Sequence, residues 1–421
     1  MPSALRQLSL DDVREAVGEP FWFPGSPCLV GVELEWLTFT EGDHSSRPDN
    51  SVLAALLGPL PAGSAVTFEP GGQLELSSLP FPDVAATCAA AGADLAAARR
   101  AADAAGVRLV GMGADPVRPS TRVLSSPRYD AMEAYFDAAG PAGRRMMANT
   151  AAVQVNVGLG PTPADARRQW RLASHLGPTM AAAFASSPLL YGRPTGFRST
   201  RLATWWAMDA SRTAPVDPIG DDDGPDAWAA YALAARVMLV RTDSRGFVPL
   251  VTPLTLAQWV AEGHELGRPT LDDVRYHLST LFPPVRPRSG VDSGGWLELR
   301  MIDALPDPWW QVPVAVFATL LGDAEAGAAA ERAVAGTAHL WVEAARNGLA
   351  SPELAASAAA CFDAALAGLA HTPGADGLAD LVAAYADRWV RRGRCPADDH
   401  LEAWARTGTL LPEPAEVGTW A

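Results

Sequence analysis

Glutamate side chains recur on strand-like stretches of this chain, on the same face as other polar side chains. Glu33 and Glu35 alternate with apolar residues, so both carboxylates point to one side of a strand, about 6.5 Å apart at their backbones. Two such charges repel by about 2.5 kcal/mol at an effective dielectric constant of about 20, which favours a bound cation. Comparable stretches carry Glu69, Glu75 and Glu298. Carboxylate oxygens select Mg²⁺ or Mn²⁺, so the pattern predicts a divalent metal site.

A solvated sheet face is the alternative explanation for Glu33 and Glu35 alone. It explains the five glutamates together poorly, because the apolar residues flanking each of them are typical of core strands. The turn at 70–72, Pro-Gly-Gly, would otherwise be ordinary, but here it brings Glu69 and Glu75 within reach of one site.

Two amides repeat the same one-sided polarity. Gln154 and Asn156 share one face of the segment 150–157, opposite a row of valines. They are either neutral oxygen donors beside the metal site or hydrogen-bonded core amides.

Arginines near these stretches supply the opposite charge. Glu298 and Arg300 lie two residues apart on one strand face. They form either a structural ion pair or a site in which Glu298 binds metal and Arg300 binds a phosphate or carboxylate. Three others, each more typical of a surface residue when taken alone, are Arg198, Arg201 and Arg212.

Charge balance indicates the ligand. Five carboxylates need two or three divalent ions, and Mg²⁺ keeps coordination positions open for substrate phosphates. A nucleotide triphosphate held by metals and arginines fits this balance, which favours a magnesium-dependent phosphoryl-transfer enzyme.

His277 is more typical of a hydrogen-bonded core histidine than of a catalyst.

The composition excludes several classes of protein. The 421 residues include 33 basic and 48 acidic side chains, a net charge of −15, and such a field repels the phosphates of nucleic acids. All the basic residues are arginines, so a lysine-dependent phosphate-binding loop is excluded. The four cysteines are far apart and predict neither a zinc site nor a disulfide scaffold. The longest apolar run, 312–321, is about half the ~20 residues that span a bilayer. We therefore expect a soluble, cytoplasmic protein without nucleic-acid or membrane partners.

Helical and strand-like segments alternate along the chain. Besides the glutamate stretches, the predicted strands cover residues 107–112, 150–157, 202–208 and 296–302. The predicted helices cover residues 83–105, 127–138, 163–186, 226–240 and 270–281, with a surface loop at 217–225. Because the strands are polar on one face only, we expect an antiparallel sheet with helices on its outer face, and hence the α+β class. We expect a catalytic domain at 1–310, and an alanine-rich helical layer at 311–421 packed on the same domain.

These segments resemble the plant-type glutamate-cysteine ligases, and in particular the actinobacterial branch that serves ergothioneine synthesis. The resemblance runs from about residue 31 to residue 310 through several motifs in the family's order. They are EPGGQLELS at 69–77, the methionines at 146–147, VQVN at 153–156, the segment 185–201, SRT at 211–213, HLSTLFP at 277–283, and Glu298 with Arg300.

The resemblance implies a fold and a reaction. The fold is a cupped, six-stranded antiparallel sheet that holds the active site. The reaction transfers the terminal phosphoryl group of ATP to the γ-carboxylate of L-glutamate, and the amine of L-cysteine then displaces phosphate to give γ-glutamylcysteine.

The resemblance also implies roles for individual residues. The ligands of two or three Mg²⁺ ions, with Mn²⁺ as an alternative, would be Glu33, Glu35, Glu69, Glu75, Gln154 and Glu298. The substrate-binding residues would be Arg201, Asn156 and Arg198, with Arg201 at the glutamate α-carboxylate. Arg300 and Arg212 would bind ATP, and Arg300 and Glu298 would serve phosphoryl transfer. The oligomeric state is open, with a monomer favoured.

One departure from the family pattern affects anion binding. Plant enzymes carry an arginine just before the VQVN strand, where this chain has Asn149. We expect Arg144 or Arg145 to supply the anion-binding group in its place.

Three alternatives remain at this point. A ligase of the same type could use glutamate with a different amine. Paired carboxylates and many tryptophans could make a glycosidase, although that mechanism needs two carboxylates and not five. A non-catalytic scaffold stabilised by metal is the third alternative.

Overall fold

The computed structural model of the protein describes residues 7–22, 29–216, 224–242, 246–290 and 294–412. The strands are β1 (Val30–Thr40), β2 (Ala65–Phe68), β3 (Leu74–Ser77), β4 (Val107–Val110), β5 (Ala152–Gly158), β6 (Leu189–Leu190), β7 (Arg193–Pro194), β8 (Leu239–Thr242), β9 (Gly246–Pro249), β10 (Val285–Gly290) and β11 (Gly294–Asp303).

The helices that precede residue 310 are α1 (Leu10–Trp22), α2 (Asn50–Leu56), α3 (Val84–Ala104), α4 (Pro127–Asp137), α5 (Ala142–Asn149), α6 (Pro163–Ala183), α7 (Thr200–Trp206), α8 (Ala210–Thr213), α9 (Gly224–Ala234), α10 (Leu256–Glu262) and α11 (Leu271–Leu278). Those that follow are α12 (Gln311–Gly322), α13 (Ala324–Val334), α14 (Trp341–Asn347), α15 (Pro352–Leu369), α16 (Asp376–Arg388) and α17 (Pro396–Thr407), with short 3₁₀ helices at Gly348–Ala350 and Val390–Arg392.

The main sheet runs in the order β10-β11-β5-β1-β3-β2, and every neighbouring pair is antiparallel. A further strand, β4, pairs with the second half of β1. The predicted antiparallel sheet and the α+β class are therefore confirmed, with β4 added to the six strands in line.

The sheet has one apolar face and one polar face. On β1, Val32, Leu34 and Trp36 are each 1% exposed, and burial of such side chains stabilises a fold by about 1.5–3 kcal/mol each. Helices α3, α6 and α12 pack on the sheet from this side. The glutamates of β1 alternate with these residues and therefore lie on the opposite face.

The helices after residue 310 share one hydrophobic cluster with the sheet. Helix α12 packs on β5 and α6, and α13 and α15 also pack on α6. Phe317, Phe362 and Tyr385 are fully buried in this cluster. Helices α15 and α17 begin at Pro352 and Pro396, where proline suits the first turn.

Two sequence-based predictions of secondary structure are wrong. The segment 202–208 is predicted as a strand, but α7 covers most of it, because Ser199 caps the helix by accepting from the backbone N–H of Leu202. The helix predicted at 226–240 ends at Ala234, and Leu239–Thr242 forms strand β8 against β9. In addition, helix α5 has no counterpart among the predicted segments. Most of the surface loop predicted at 217–225 lies outside the described residues.

Among the described residues, no single helix is long and apolar enough to cross a membrane. The pair α12 and α13 passes such a test only when joined, and the two helices are bent by 102° relative to each other.

Candidate active site

The polar face of the sheet lines a cavity of about 330 Å³, here called the cup. The cup brings together most residues that the sequence predicts for the site: Glu33, Glu35, Glu69, Glu75, Gln154, Arg201, Glu298 and Arg300. They come from β1, the β2–β3 hairpin, β5, α7 and β11. The central expectation, that acidic groups from separate segments converge, is therefore met.

Strand register places the carboxylates of β1 beside their partners. Glu35 lies opposite Glu75 on β3, and Glu33 lies opposite Gln154 on β5. The carboxylate of Glu35 accepts hydrogen bonds from the backbone N–H of Ala152 and from Nε2 of Gln154, both at 2.8 Å. These neutral donors orient Glu35 without removing its charge.

A tight turn places Glu69 next to Glu75. The backbone N–H of Gly72 donates to the carbonyl of Glu69 at 2.7 Å, and Gly72 has a φ of +90°. A Cβ on Gly71 would lie 2.1 Å from the carbonyl oxygen of Ala148, so only glycine fits there. The side chain of Glu75 accepts from the hydroxyls of two neighbours, Thr67 and Ser77.

Three of these carboxyls are held towards the protonated state. Burial, with the charges of Glu298 and Glu75, raises the pKa of Glu33 to about 8. Burial and the charge of Glu75 raise the pKa of Glu35 to about 7. Burial also raises the pKa of Glu69 well above its ordinary value, and the charges of Glu35 and Glu75 add to this. A cation in the cup would reverse these shifts.

Glu298 has the opposite environment. It is 2% exposed, and its oxygens accept from Arg286 at 2.5 and 2.9 Å and lie 3.2 Å from Nη1 of Arg300. Arg288 adds a longer contact of 3.4 Å. Burial alone would raise the pKa of Glu298, but the charges of Arg286 and Arg300 hold it well below its usual range. Glu298 is therefore a carboxylate that organises guanidinium groups.

Arg300 links the two sides of the cup. Its Nη1 donates to Oε1 of Gln154 and its Nε has no hydrogen-bond partner although it is buried. The guanidinium carbon lies 5.6 Å from the ring centroid of Trp205 and 5.8 Å from that of Phe282. Arg300 is thus fixed in position and keeps a donor for a ligand.

Arg201 is a buried cation with a free donor. It is 2% exposed, and its Nη2 donates to the carbonyl of Arg300 at 2.7 Å. Its Nη1 has no hydrogen-bond partner, and Oδ1 of Asp303 lies 3.8 Å away. A buried guanidinium with an unused N–H group is suited to an anionic ligand.

The segment that carries Arg201 is held by the C-terminal helices. The backbone N–H of Ala397 donates to the carbonyl of Ala185 at 2.9 Å, and Nε2 of His400 lies 3.2 Å from Oγ of Ser186. Nε of Arg198 donates to Asp398 at 2.6 Å. These contacts run from α17 to residues near both ends of the 185–201 segment.

Two predicted ligand-binding arginines do not line the cup. The Arg198 side chain is engaged by Asp398, as above. Arg212 is fully buried, and its guanidinium donates to Asp209, to the carbonyls of Thr280 and Arg236, and to the hydroxyl of Tyr135. Both arginines therefore contact neighbouring segments in this structure, and their assignment to substrate and ATP stays a prediction.

Asn156 lies at one end of the polar face, in an adjoining cleft of about 230 Å³ that it shares with Glu33 and Trp296. Its Nδ2 donates to Glu33 at 3.3 Å, and its Oδ1 accepts from Nε1 of Trp296 at 3.1 Å.

His277 is a core residue, with Nε2 at 3.1 Å from the carbonyl of Ala232. Burial lowers its pKa to about 3.

Neither Arg144 nor Arg145 supplies the cup with the cation expected in place of Asn149. Asn149 is fully buried and donates to the carbonyl of Arg118 at 2.8 Å. Arg144 is bound to Asp137 and Glu133, and Arg145 lies beside the ring of Tyr191. Both arginines lie outside the lining of the cup, and an anion-binding role for either of them stays a prediction.

Several residues of the cup are absent from the sequence-based prediction of the site. Arg286 and Arg288 lie two apart on β10, a spacing that could have identified them by the rule applied to Glu33 and Glu35. No comparable pattern marks three residues of helix α4, which are Arg128, Tyr129 and Met132. Met146 and Met147 of α5 also line the cup, and the sequence marked them only as a family motif.

No group of three or more His, Cys, Asp or Glu side chains within the described ranges is arranged to hold a metal ion as the side chains stand. In two of the predicted ligands an arginine engages a side-chain oxygen, since Gln154 accepts from Arg300 and Glu298 accepts from Arg286. The other four have no ion pair with any described arginine, and they are Glu33, Glu35, Glu69 and Glu75.

Comparisons with known proteins match most of this chain to one family. Residues 29–415 match the glutamate-cysteine ligase family 2. A protein named glutamate-cysteine ligase EgtA from Mycolicibacterium smegmatis is 43% identical over 339 residues, which cover 79% of this chain and 78% of that protein. Its namesake from Mycobacterium tuberculosis is 42% identical over 380 residues, or 88% of this chain and 84% of that protein.

Two further comparisons show lower sequence identity. The chloroplastic glutamate-cysteine ligase of Brassica juncea is 30% identical over 73% of this chain and 57% of that protein. The crystal structure of a glutamate-cysteine ligase from Francisella tularensis in complex with AMP has a TM-score of 0.54 and 12% identity, and covers 92% of this chain and 86% of that one. That likeness shows the fold. The match to the family across most of the chain, together with the two relatives above 40% identity, shows that the chain belongs to the glutamate-cysteine ligase family 2.

Proposed function

We propose that this protein is an ATP-dependent glutamate-cysteine ligase, which forms γ-glutamylcysteine through γ-glutamyl phosphate. Family membership and the two EgtA relatives support the reaction. The observation that carries the proposal is the distribution of charge in the cup. Four glutamates that form no ion pair with a described arginine lie on β1 and the β2–β3 hairpin, and arginines lie on β10, β11 and α7.

The donor set of the cup fits magnesium or manganese. Glu33, Glu35, Glu69 and Glu75 present carboxylate oxygens, and burial with neighbouring carboxylate charges raises the pKa of the first three, a shift that a bound cation would oppose. When bound, the divalent ions would neutralise the phosphates of ATP and the carboxylates at the reacting centre. Gln154 and Glu298 would join them as ligands only if the guanidinium groups that now occupy their oxygens moved.

Arginines supply the remaining positive charge. Arg300 would steady the transferring phosphoryl group, because its Nε is free and Gln154, Trp205 and Phe282 fix its position. Arg286 and Arg288 extend this row along β10. Glu298 holds the row together, since it contacts all three arginines.

Arg201 would bind the α-carboxylate of glutamate through its free Nη1, which leaves the γ-carboxylate directed at the phosphate. A γ-carboxylate oxygen attacks the terminal phosphorus, ADP leaves, and a mixed anhydride forms. The amine then attacks the acyl carbon, the bond to phosphate oxygen breaks, and inorganic phosphate leaves with the electron pair. The amine loses its proton to phosphate or water. We propose that the product serves ergothioneine synthesis, in line with the resemblance to the actinobacterial branch.

The test is product formation from defined components. ADP and phosphate should appear only when ATP, Mg²⁺, glutamate and cysteine are all present, and mass spectrometry should identify γ-glutamylcysteine. Glu35→Ala and Glu75→Ala should abolish turnover, whereas Glu41→Ala, on an exposed residue directly after β1, should not. Full turnover by both cup variants would refute the site, and a product containing another amine would refute the choice of cysteine.

A further inference from the structure

Arg128 enters the cup from the first turn of helix α4. Its Nε is buried and has no hydrogen-bond partner. Its guanidinium carbon lies 5.5 Å from the ring centroid of Tyr276, a contact that orients the group without using its in-plane N–H donors. No described aspartate or glutamate lies within ion-pair distance of it.

The other arginines of the cup already face carboxylates. Arg286, Arg288 and Arg300 contact Glu298, and Arg201 lies 3.8 Å from Asp303. Among the described residues that line the cup, Arg128 is therefore the cation whose charge no protein carboxylate balances. A guanidinium in a cavity, with unused donors and no counter-ion, is suited to a carboxylate supplied by a ligand.

The reaction brings two amino acids into one cavity, and each carries an α-carboxylate. Arg201 and Arg128 come from different helices, α7 and α4. Arg201 contacts the carbonyl of Arg300 on the phosphoryl-transfer side. Arg128 instead precedes Tyr129, whose pKa is raised by burial and by the charges of Glu69 and Glu75. The two arginines thus belong to different sides of the cup.

We infer that Arg128 binds the α-carboxylate of the second substrate, the amino acid that supplies the attacking amine. This inference rests on the proposed ligase function and deepens it, because it assigns the amine substrate to the α4 side of the cup.

Methionines beside Arg128 fit the side chain of such a substrate. Met132 lies one turn after Arg128 on α4, and Met146 and Met147 come from α5, which packs on α4. A thioether wall is apolar and polarisable, and it adapts its shape to a small group such as the –CH₂–SH of cysteine. With the carboxylate on Arg128, the short side chain of the substrate lies within reach of this wall.

The test compares cysteine with cysteamine, which has the same amine and thiol but no carboxylate. Arg128→Gln should raise the KM for cysteine by about 10- to 100-fold, the loss expected for a charge-assisted hydrogen bond. The KM for glutamate should stay within about twofold, and kcat/KM for cysteamine should not change. Arg128→Lys, which keeps the charge but not the paired donors, should give an intermediate KM for cysteine. Arg144→Gln is the matched control, because Arg144 is exposed and lies outside the cup. It should leave the KM for cysteine and kcat/KM for cysteamine unchanged.

Each contrary result has its own meaning. The inference alone would be overturned if the wild type is active and Arg128→Gln leaves the ratio of kcat/KM for cysteine to kcat/KM for cysteamine unchanged. A rise confined to the KM for glutamate would overturn it as well and assign Arg128 to the other substrate. Equal losses with both amines, accompanied by a lower melting temperature in Arg128→Gln and Arg128→Lys, would show a structural role. Absence of product from the wild type with either amine would instead overturn the proposed function, and the inference with it.

Discussion

Arg286 holds Glu298 with two donors across the β10–β11 hairpin, where the two residues are directly opposed in the strand register. Both side chains are almost fully buried, at 6% and 2% exposure. Glu298→Ala should therefore lower the free energy of unfolding by about 3–5 kcal/mol, because it leaves Arg286 charged and unpaired in the interior. It should also abolish ligation, since Arg300 loses a neighbour that holds it. Urea unfolding measures the loss of stability, and a coupled ADP assay measures the loss of ligation. An unchanged unfolding midpoint would contradict the role given to this pair.

Asp303 should set the affinity for glutamate through Arg201. Its oxygens accept from the backbone N–H of Ser186 and from the hydroxyls of Ser187 and Ser199, so Asp303→Asn keeps the shape while removing the charge that faces Arg201. We expect the KM for glutamate to rise about 10-fold, with a smaller change in kcat.

A second buried aspartate provides the control for Asp303. Asp94 is fully buried and accepts from the backbone N–H groups of Ala62 and Ser64, and it does not line the cup. Asp94→Asn should lower the melting temperature without raising the KM for glutamate. Similar KM values in the two variants would show that Asp303 is only a packing residue.

The metal-free protein should become less stable as the pH rises from about 4.5 to about 8. The pKa values of Glu33 and Glu35, about 8 and about 7, lie above the ordinary value of 4.5. Between the ordinary and the raised values the folded chain binds more protons than the unfolded chain, so stability falls with increasing pH and the loss is complete above the raised values.

Magnesium should oppose this loss, because a bound cation favours the ionised carboxylates. Melting temperatures across this pH range, with and without Mg²⁺, measure the effect. The double variant Glu33→Gln with Glu35→Gln should lose most of the pH slope. A slope that persists in the double variant would assign the effect to other groups.

Gly71→Ala should damage the site through the backbone. The new Cβ would lie 2.1 Å from the carbonyl oxygen of Ala148, so the turn between Glu69 and Glu75 must shift, at a cost of about 1–3 kcal/mol for overpacking. Turnover should fall with the melting temperature. Gly58→Ala is the control, since a Cβ on that exposed glycine meets nothing within 4 Å. Normal activity in Gly71→Ala would show that the position of Glu69 tolerates movement.

The sequence predicted the acidic half of the cup well and the cationic half poorly. Alternation on β1 and β3 placed Glu33, Glu35 and Glu75 on one face, because strand geometry permits no other arrangement. The buried position of Arg212 could not be predicted, since its partners at Thr280 and Arg236 are distant in the chain and leave no local pattern.

Helical contributions to the cup were the least predictable. Residues 202–208 read as a strand because they form a short apolar run with two tryptophans, which periodicity alone cannot assign to strand or helix, yet the Ser199 cap and tertiary packing favour helix α7. Arg128 lies at one position of an ordinary helix, so nothing in its neighbours marks it as facing the cavity.

Contacts from α17 fix the 185–201 segment, and the guanidinium of Arg201 sits at the end of that segment. During synthesis the strands that bear the glutamates leave the ribosome long before α17 does. The packing of α17 on this segment therefore ties the position of Arg201 to the helix that the ribosome releases last among the described elements.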